Sequence, residues 1–265
     1  MDDKLKERLK ELIRNPDNST CADCGSPDPQ WASVNLTVFV CIVCAGVHRS
    51  LGVHISRVKS VNLDSWKETE VAGMEQTNNI KENRNKWEAT LPQDFIKPSF
   101  GDSIGLKEQW IIVKYMNKAF TPFDYVDSTL KRINLDTKEG WIVKKGDVVK
   151  SWKKRWLRLI DSESLQYFKT PYDTKPCGTI HLRDSGQVDS VSEVDSKPFC
   201  FIISTPKRRY LISCSTGEEM FKWIQLIRFS VHKLNNSNNS IGNYNNLLNN
   251  NSNGNNISSN GSHDS

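Results

Sequence analysis

The chain has 265 residues, which is enough for two domains of ordinary size, and its formal net charge is +5. No apolar run approaches the roughly 20 residues of a membrane-spanning helix, and the N-terminal Met-Asp-Asp-Lys does not resemble a signal peptide. These features argue against an integral membrane protein and a secreted one. Residues 1–136 carry 18 basic and 19 acidic side chains, whereas residues 137–234 carry 18 and 11. The basic second half predicts an anionic partner, either membrane or nucleic acid.

The first predicted element is an amphipathic helix over residues 3–14, with its apolar side chains on one stripe: Leu5, Leu9, Leu12 and Ile13. Two Cys-x-x-Cys pairs follow, separated by sixteen residues. Pairs with this spacing can place four thiolates at the corners of a tetrahedron, as one structural zinc ion requires: Cys21, Cys24, Cys41 and Cys44. Four protein ligands leave no open position for a catalytic water. His48 and His54 are weaker candidates for ligands, and we expect them to form hydrogen bonds or to pack nearby.

Three further cysteines are scattered along the second half of the chain, at Cys177, Cys200 and Cys214. Single cysteines without regular spacing indicate a reducing compartment and no disulfide framework. We therefore expect a cytoplasmic protein.

The residues after the second cysteine pair predict a short helix over 45–51, which Gly52 ends in a left-handed conformation. Val47 and Leu51 are four residues apart and share one face, which we expect to be buried. Arg49 is two residues from each, about 200° round the helix, and must project away from that face. Exposed arginines are common on helices, so position alone leaves the role of Arg49 open.

The cysteine spacing, followed at once by Ala-Gly-Val-His-Arg-Ser-Leu-Gly-Val-His-Ile-Ser-Arg-Val-Lys-Ser, strongly resembles the GTPase-activating domain for Arf-family small G proteins. The run from Trp31 to Leu36 and the pair Leu63-Asp64 belong to the same signature. The resemblance covers roughly residues 1–122. With the domain described below, the chain is similar to the ADAP/centaurin-alpha type.

The resemblance implies a mainly helical domain around a zinc-braced sheet, acting on a GTP-bound Arf protein. It implies that Arg49 is an arginine finger, and that Trp31 and Asp64 are the tryptophan and aspartate of the same site. Such a protein is an activator of another enzyme and not itself an enzyme. The chain departs from the family pattern in two places. Thr37 stands where a glycine is usual, and the expected Gly-Asn pair appears only as Asn-Asn or Asn-Ile at 78–80.

Three more helical stretches follow in this half. Asp64 is placed to cap the first, which carries Trp66, Val71 and Met74 as apolar positions. The second runs over 83–87 and ends before Pro92. The third, over 106–120, is expected to direct three side chains into the core: Trp110, Val113 and Met116.

After a predicted linker at 123–138, short strands are expected over 140–146, 151–159, 165–168, 178–182, 199–204 and 210–214. One helix closes the domain, with a capping box formed by Ser215 and Glu218 and an apolar stripe of Met220, Trp223, Ile224 and Ile227. This pattern resembles a pleckstrin-homology (PH) fold over residues 139–233. The whole chain is thus predicted to be α+β, a helical domain followed by a β-barrel with a C-terminal capping helix.

Alternation along the PH strands predicts that four polar side chains converge at the mouth of the barrel: Lys144, Lys153, Arg155 and Tyr167. Such cations suit phosphate groups, and their positions match the family's phosphoinositide motif. The alternative is that basic edge strands only prevent aggregation. Cys177 departs from the family, which often has an arginine near this point. Residues 207–209, Lys-Arg-Arg, are placed to compensate.

The tail, residues 234–265, is predicted to be disordered, because from residue 235 it holds fourteen asparagines and seven serines with almost no charge. Three readings of function follow. The first is a monomeric Arf GTPase activator that phosphoinositides recruit to membranes. The second is a phosphoinositide-binding Arf adaptor without activating function. The third is a DNA-binding zinc finger of the GATA type, which the net charge of −1 on the cysteine-bearing half (18 basic, 19 acidic) disfavours.

Overall fold

The computed structural model describes residues 2–93, 95–122, 138–147 and 149–252. It contains a helical half with a small sheet, followed by a larger sheet and a long helix, which confirms the predicted α+β class. The predicted linker lies outside the described residues except for Lys138. Among the helices described, none combines the length and the apolar character that crossing a membrane requires.

Within the described residues, the first half contains five α-helices and three short strands: α1 (Asp2–Arg14), β1 (Trp31–Ser33), β2 (Val38–Val40), α2 (Ile42–Ser50), β3 (Val58–Ser60), α3 (Glu68–Glu75), α4 (Asn79–Glu82) and α5 (Ile104–Ile111). The strands form an antiparallel sheet in the order β2-β1-β3. The apolar face of α1 packs on this sheet and on α3 through Leu5, Leu9 and Ile13, as its periodicity predicts. One face of the sheet is therefore covered by α1.

Two five-residue π-helical segments continue the helices of this half, Asn83–Trp87 after α4 and Ile112–Met116 after α5. In the second, the amide of Asn117 donates to the carbonyl of Ile112 at 2.9 Å, five residues back. The wider turn changes which side chains face inward. Tyr115 is buried, while Met116 is 42% exposed, so the prediction that Met116 enters the core was wrong.

Asp64 does not cap α3, contrary to the prediction. The helix begins at Glu68 with Lys67 at its N-cap, three residues beyond Asp64. The Asp64 carboxylate instead accepts a hydrogen bond at 2.6 Å from the backbone amide of Ser60, at the end of β3. The Asp64 side chain therefore fixes the turn after β3.

In the part of the second half that the structure describes there are seven strands: β4 (Glu139–Lys145), β5 (Trp152–Ile160), β6 (Ser164–Phe168), β7 (Gly178–His181), β8 (Val188–Val191), β9 (Cys200–Ser204) and β10 (Arg209–Ser213). All neighbours are antiparallel in the order β7-β6-β5-β4-β10-β9-β8, so β4 joins the early strands to the late ones. Strand β8 was not predicted, because Asp189 and Ser190 interrupt its apolar pattern. Both are nevertheless buried, at 6% and 5% exposure.

Helix α6 (Gly217–Ser252) closes this half, and its buried stripe matches the prediction: Met220, Trp223, Ile224 and Ile227. Its cap does not. The amide of Glu219 donates to Thr216 Oγ1 at 3.1 Å, one residue later than the predicted Ser215 box. The helix also continues over residues 234–252, where disorder was predicted. That stretch has no proline and a single glycine, Gly242, so nothing in it ends a helix.

Candidate functional site

The four predicted cysteines meet at one point under α2. Their sulfur atoms all lie within 4.8 Å of one another, and Cys24 Sγ lies 3.7 Å from Cys41 Sγ. A tetrahedral zinc ion with Zn–S bonds of about 2.3 Å requires sulfur atoms about 3.8 Å apart. Cys41 is also the N-cap of α2, because its Sγ accepts from the amide of Cys44 at 3.5 Å. The cysteine cluster fits a structural zinc ion, and it fixes the start of the helix that carries Arg49.

Arg49 lies on the exposed side of α2, opposite the buried Val47 and Leu51, as the helical spacing predicts. Its guanidinium carbon lies 4.4 Å from the centroid of the Trp31 ring, in cation–π distance. The helix ends at Gly52 with φ +86°, where a side chain would meet the ring of His54 at 2.8 Å. A rigid helix and an aromatic ring therefore present this arginine to solvent.

The structure brings Arg49 and Trp31 into direct contact, but it places Asp64 one step away. Trp31 pairs with Ser60 across β1 and β3, and Asp64 holds the amide of Ser60. Among the described residues no hydrogen bond or ion pair joins Asp64 to Arg49. Asp64 therefore acts on the geometry of the strand pair beneath Trp31.

A buried polar network supports α2 from below. Asp23, between the first two cysteines, receives hydrogen bonds from Lys114 Nζ at 3.1 Å and Tyr115 Oη at 2.8 Å. Its other oxygen lies 2.9 Å from His48 Nε2, and His48 Nδ1 lies 2.9 Å from Ser56 Oγ. Both ring nitrogens of His48 thus have partners, as expected for a histidine that does not bind the metal.

The network is electrostatically balanced. Burial by itself raises the pKa of Asp23, but Lys114 and the hydrogen bond from His48 lower it well below the ordinary value. Asp23 therefore stays ionised, and its charge is matched within the fold. Sequence reasoning missed these residues as a site, because a lone aspartate and a lysine 91 positions later carry no local signal.

The two departures from the expected family pattern have visible consequences. Thr37 adopts φ +56°, a left-handed conformation that favours glycine, and its Oγ1 donates to the carbonyl of Leu36 at 2.8 Å. Asn79 is buried and bridges two segments, because its side chain accepts from the amide of Phe39 at 2.7 Å and donates to the carbonyl of Thr20 at 2.7 Å. The start of α4 is therefore tied to β2 without a glycine.

The basic residues named for the second half lie close together. Lys144 is opposite Lys153, and Arg155 follows two residues later on the same face of β5. Lys144 is only 7% exposed, and its Nζ lies 4.8 Å from the ring centroid of Tyr167. A side chain at Gly178 would collide with the Tyr167 hydroxyl, so the glycine leaves room for the phenol.

One ring of this pocket, Tyr210, was not in the predicted set, and Arg208 was named only among the compensating loop residues. Tyr210 places a second ring 5.5 Å from Lys144 Nζ, and Arg208 stacks on Tyr210 at 4.3 Å. Burial and the nearby Arg208 lower the pKa of Lys144 to about 8, and Arg155 and Lys153 act in the same direction. Arg208 also pairs with Asp147 at 3.0 Å, so it is held at the pocket as the compensating loop residues were expected to be.

Comparison with known proteins identifies both halves. Residues 6–123 match the ArfGap family, "Putative GTPase activating protein for Arf", and residues 136–232 match the PH domain family. The chain is 36% identical over 194 residues to "Probable ADP-ribosylation factor GTPase-activating protein AGD15" of Arabidopsis thaliana, covering 72% of this chain and 80% of that protein. The chain therefore belongs to the Arf GTPase-activating protein family, with a PH domain after the ArfGap domain.

Human "Arf-GAP with dual PH domain-containing protein 2" is 32% identical over 233 residues, covering 85% of this chain. The chain spans 59% of the length of that relative. A crystal structure of a "putative GTPase activating protein for ADP ribosylation factor" from Cryptosporidium parvum is 38% identical, with a TM-score of 0.32, and covers 34% of this chain and 72% of that one.

Proposed function

We propose that this protein binds an Arf-family GTPase in its GTP-bound state and accelerates GTP hydrolysis by inserting Arg49 into the GTPase's active site. The observation that carries the proposal is the exposed guanidinium of Arg49, held against Trp31 on a helix that the cysteine cluster fixes at one end. Relatives named as Arf GTPase-activating proteins support it. The domain boundaries that go with it are 1–122 for the activating domain and 139–233 for the PH domain.

Arg49 would neutralise charge that develops on the transferred phosphoryl group, while the GTPase supplies nucleotide, magnesium and the attacking water. Arginine fingers raise such rates by about 10³–10⁵. Stacking on Trp31 restricts the side chain before the partner arrives, so less conformational freedom is lost on insertion. Asp64 would maintain the strand pair under Trp31 through Ser60, and so help to orient the arginine.

The four clustered cysteines would hold one zinc ion, which contributes folding free energy to the activating domain. Because four sulfur ligands complete the coordination, the proposed chemistry stays with Arg49. Metal analysis of the purified chain should find one zinc. Replacing Cys44 by Ser should remove the zinc and unfold this domain; a variant that keeps one tightly held zinc would contradict the ligand set.

The PH domain would recruit the protein from the cytoplasm to membranes that contain phosphoinositides. Lys144, Lys153 and Arg155 form the cationic surface, with Tyr167 beside it, and no acidic side chain among the described residues pairs with these three cations. Confinement to a membrane raises the concentration of the activator near its substrate without a new contact at the active site. A monomer is sufficient for both steps.

Single-turnover GTP hydrolysis tests the proposal, with several Arf proteins on vesicles with and without phosphoinositide. The full chain should accelerate hydrolysis, and Arg155→Ala should lose the gain from phosphoinositide while it keeps activity on soluble, truncated Arf. Binding of GTP-loaded Arf without any acceleration would favour the second candidate, an adaptor. Equal vesicle binding by wild type and Arg155→Ala would show that this pocket does not bind lipid.

A further inference from the structure

The two domains meet at a polar cluster that neither proposed site uses. Ser103, the N-cap of α5, donates from its amide to Asp189 Oδ2 at 3.1 Å and from its hydroxyl to Asp189 Oδ1 at 2.8 Å. Its hydroxyl also contacts the hydroxyl of Ser190. These bonds explain why Asp189 and Ser190 are buried in β8. A carboxylate of the PH domain thus satisfies the first turn of a helix in the activating domain.

Arg228 of α6 completes this cluster. Its Nη2 and Nη1 atoms bind the two oxygens of Asp102 at 2.6 and 3.2 Å, and its Nε donates to the carbonyl of Val188 at 2.8 Å. Nη2 also lies 3.9 Å from Asp189 Oδ1. The three charged side chains are 8–15% exposed, so solvent screens them little. Arg228 is the cation between two carboxylates, one from each domain.

On both sides of this cluster, a side chain of one domain lies against a glycine of the other. A side chain on Gly105, in the first turn of α5, would lie 2.8 Å from Ser190 Oγ. A side chain on Gly217, at the start of α6, would lie 2.5 Å from Nε2 in the side chain of Gln109. Glycine lowers helix stability by about 1 kcal/mol relative to alanine, and here its small size permits the close contact. Each domain therefore contributes a glycine to the fit.

Apolar packing extends the contact. Phe95 of the activating domain lies 6.5 Å from Phe221 of α6, and it also packs on Trp110 and Phe120. These buried side chains form one continuous cluster across the two domains. The contact therefore combines an apolar core with a specific ion pair, which is the composition of a fixed interface and not of a transient one.

We propose that Arg228 is a positioning residue that fixes the activating domain on the PH domain, so that Arg49 approaches a membrane-bound GTPase in one orientation. This inference rests on the proposed function. A GTPase attached to a membrane presents its active site within a narrow range of directions, and the PH domain is bound to the same membrane. A fixed angle between the domains keeps Arg49 within reach, whereas free domains would sample mostly unproductive angles.

A structural experiment tests the fixed contact without reference to activity. Arg228→Glu places a third carboxylate beside Asp102 and Asp189. It should raise amide hydrogen exchange about tenfold in 103–111 and 188–191 of the full chain, because local opening becomes more frequent. The double variant Asp102→Arg with Arg228→Asp should restore slow exchange. Lys222→Glu makes the same charge change in an exposed α6 pair with Glu218, and it should leave exchange at the contact unchanged.

A kinetic experiment on the same variants tests the consequence. Arg228→Glu should lower activation of vesicle-bound Arf by about fivefold or more, while vesicle binding and activation of soluble Arf stay within about twofold. The charge-swapped pair should recover the vesicle rate. Wild-type exchange in Arg228→Glu, or faster exchange with an unchanged vesicle rate, would overturn the proposal. If wild type activates no Arf at all, the proposed function fails instead, and the exchange data still decide whether the domains are locked.

Discussion

Lys114 in the activating domain and Lys144 in the PH domain are both buried, with 0% and 7% exposure, but their electrostatic surroundings are opposite. Lys114 forms ion pairs with Asp23 at 3.1 Å and Glu88 at 2.7 Å. Lys144 donates only to the carbonyl of its neighbour at 3.3 Å, and among the described residues no carboxylate forms an ion pair with it. The first lysine is neutralised by the fold, whereas the second is not.

Aromatic contacts do not account for the difference, because each ammonium group lies within 6 Å of two rings. Burial by itself would lower both pKa values. Asp23 and Glu88 reverse this for Lys114, whose pKa is raised, whereas Arg208 and the neighbouring cations add to it for Lys144, whose pKa is lowered to about 8. A buried lysine with two carboxylates holds a structure together. A buried lysine among cations lacks such carboxylates, and an added anion would stabilise its charged form.

The largest effect is expected at Arg49, the exposed arginine on the helix that the Lys114 network supports. Arg49→Lys should lower activation at least about a hundredfold, because lysine lacks the planar fork that bridges two oxygens. Binding of GTP-loaded Arf and zinc content should stay near wild type. Single-turnover hydrolysis measures the loss, with the exposed Arg14→Lys as the matched control. If Arg49→Lys kept more than about a tenth of the rate, Arg49 would not be the finger.

Replacing the two lysines by methionine tests the comparison directly. Lys114→Met should destabilise the activating domain by about 3–5 kcal/mol, because it leaves Asp23 and Glu88 buried without their cation. Lys144→Met removes a charge that is already unfavourable, and it should change stability by less than about 1 kcal/mol. Denaturant unfolding in saturating zinc measures both. Equal losses in the two variants would show that burial alone, and not the partner charges, sets the role of each lysine.

The lowered pKa of Lys144 should make the proposed lipid binding depend on pH. The lysine is protonated below about pH 8, and a bound phosphate raises its pKa, so affinity should be full below this value and should fall as pH rises through it. Phosphate groups, with a second pKa near 6, are already ionised above about pH 7.5. Vesicle binding between about pH 7.5 and 9.5 should weaken for wild type and stay nearly flat for Lys144→Arg. Parallel slopes would remove Lys144 from the pocket.

The smallest expected effect concerns backbone strain in the activating domain. Thr37 holds φ +56°, which costs a residue other than glycine of order 1 kcal/mol. Thr37→Gly should therefore raise the unfolding free energy by up to about 1 kcal/mol, reduced by the greater freedom of glycine in the unfolded chain. Thr37→Ala keeps the strain and serves as the control. A lower stability for Thr37→Gly than for Thr37→Ala would contradict this account.

The features that the sequence predicted are those encoded by near neighbours. The cysteine pairs, the outward direction of Arg49 and the alternation that groups Lys144 with Lys153 all follow from spacing within one element or between adjacent ones. The same is true of most strands of the PH domain. Their existence could be inferred because a helix or a strand fixes where residues two to four positions apart must point.

The features that it did not predict depend on partners far along the chain. Asp189 interrupts the apolar pattern of its strand. Its burial is explained only by the hydrogen bond from Ser103, 86 positions earlier in the chain. Asp64 satisfies an amide of its own turn and not the helix ahead of it. The burial of the Asp23 and Glu88 carboxylates is explained only by Lys114, which forms an ion pair with each. Local sequence patterns do not show which buried polar groups will form hydrogen bonds with each other. The buried polar network beneath Arg49 could therefore not be predicted.

The π-helical turn at Ile112–Met116 has a consequence for how such chains can diverge. Consecutive residues Lys114 and Tyr115 both reach the same oxygen of Asp23, because the turn holds one residue more than an α-helical turn and rotates less per residue. Deletion of one residue before Lys114 in this turn would leave Lys114 and Tyr115 in the sequence. It would rotate both side chains away from Asp23. Relatives that lack the extra residue should show a one-position gap there, accompanied by a different partner for the aspartate.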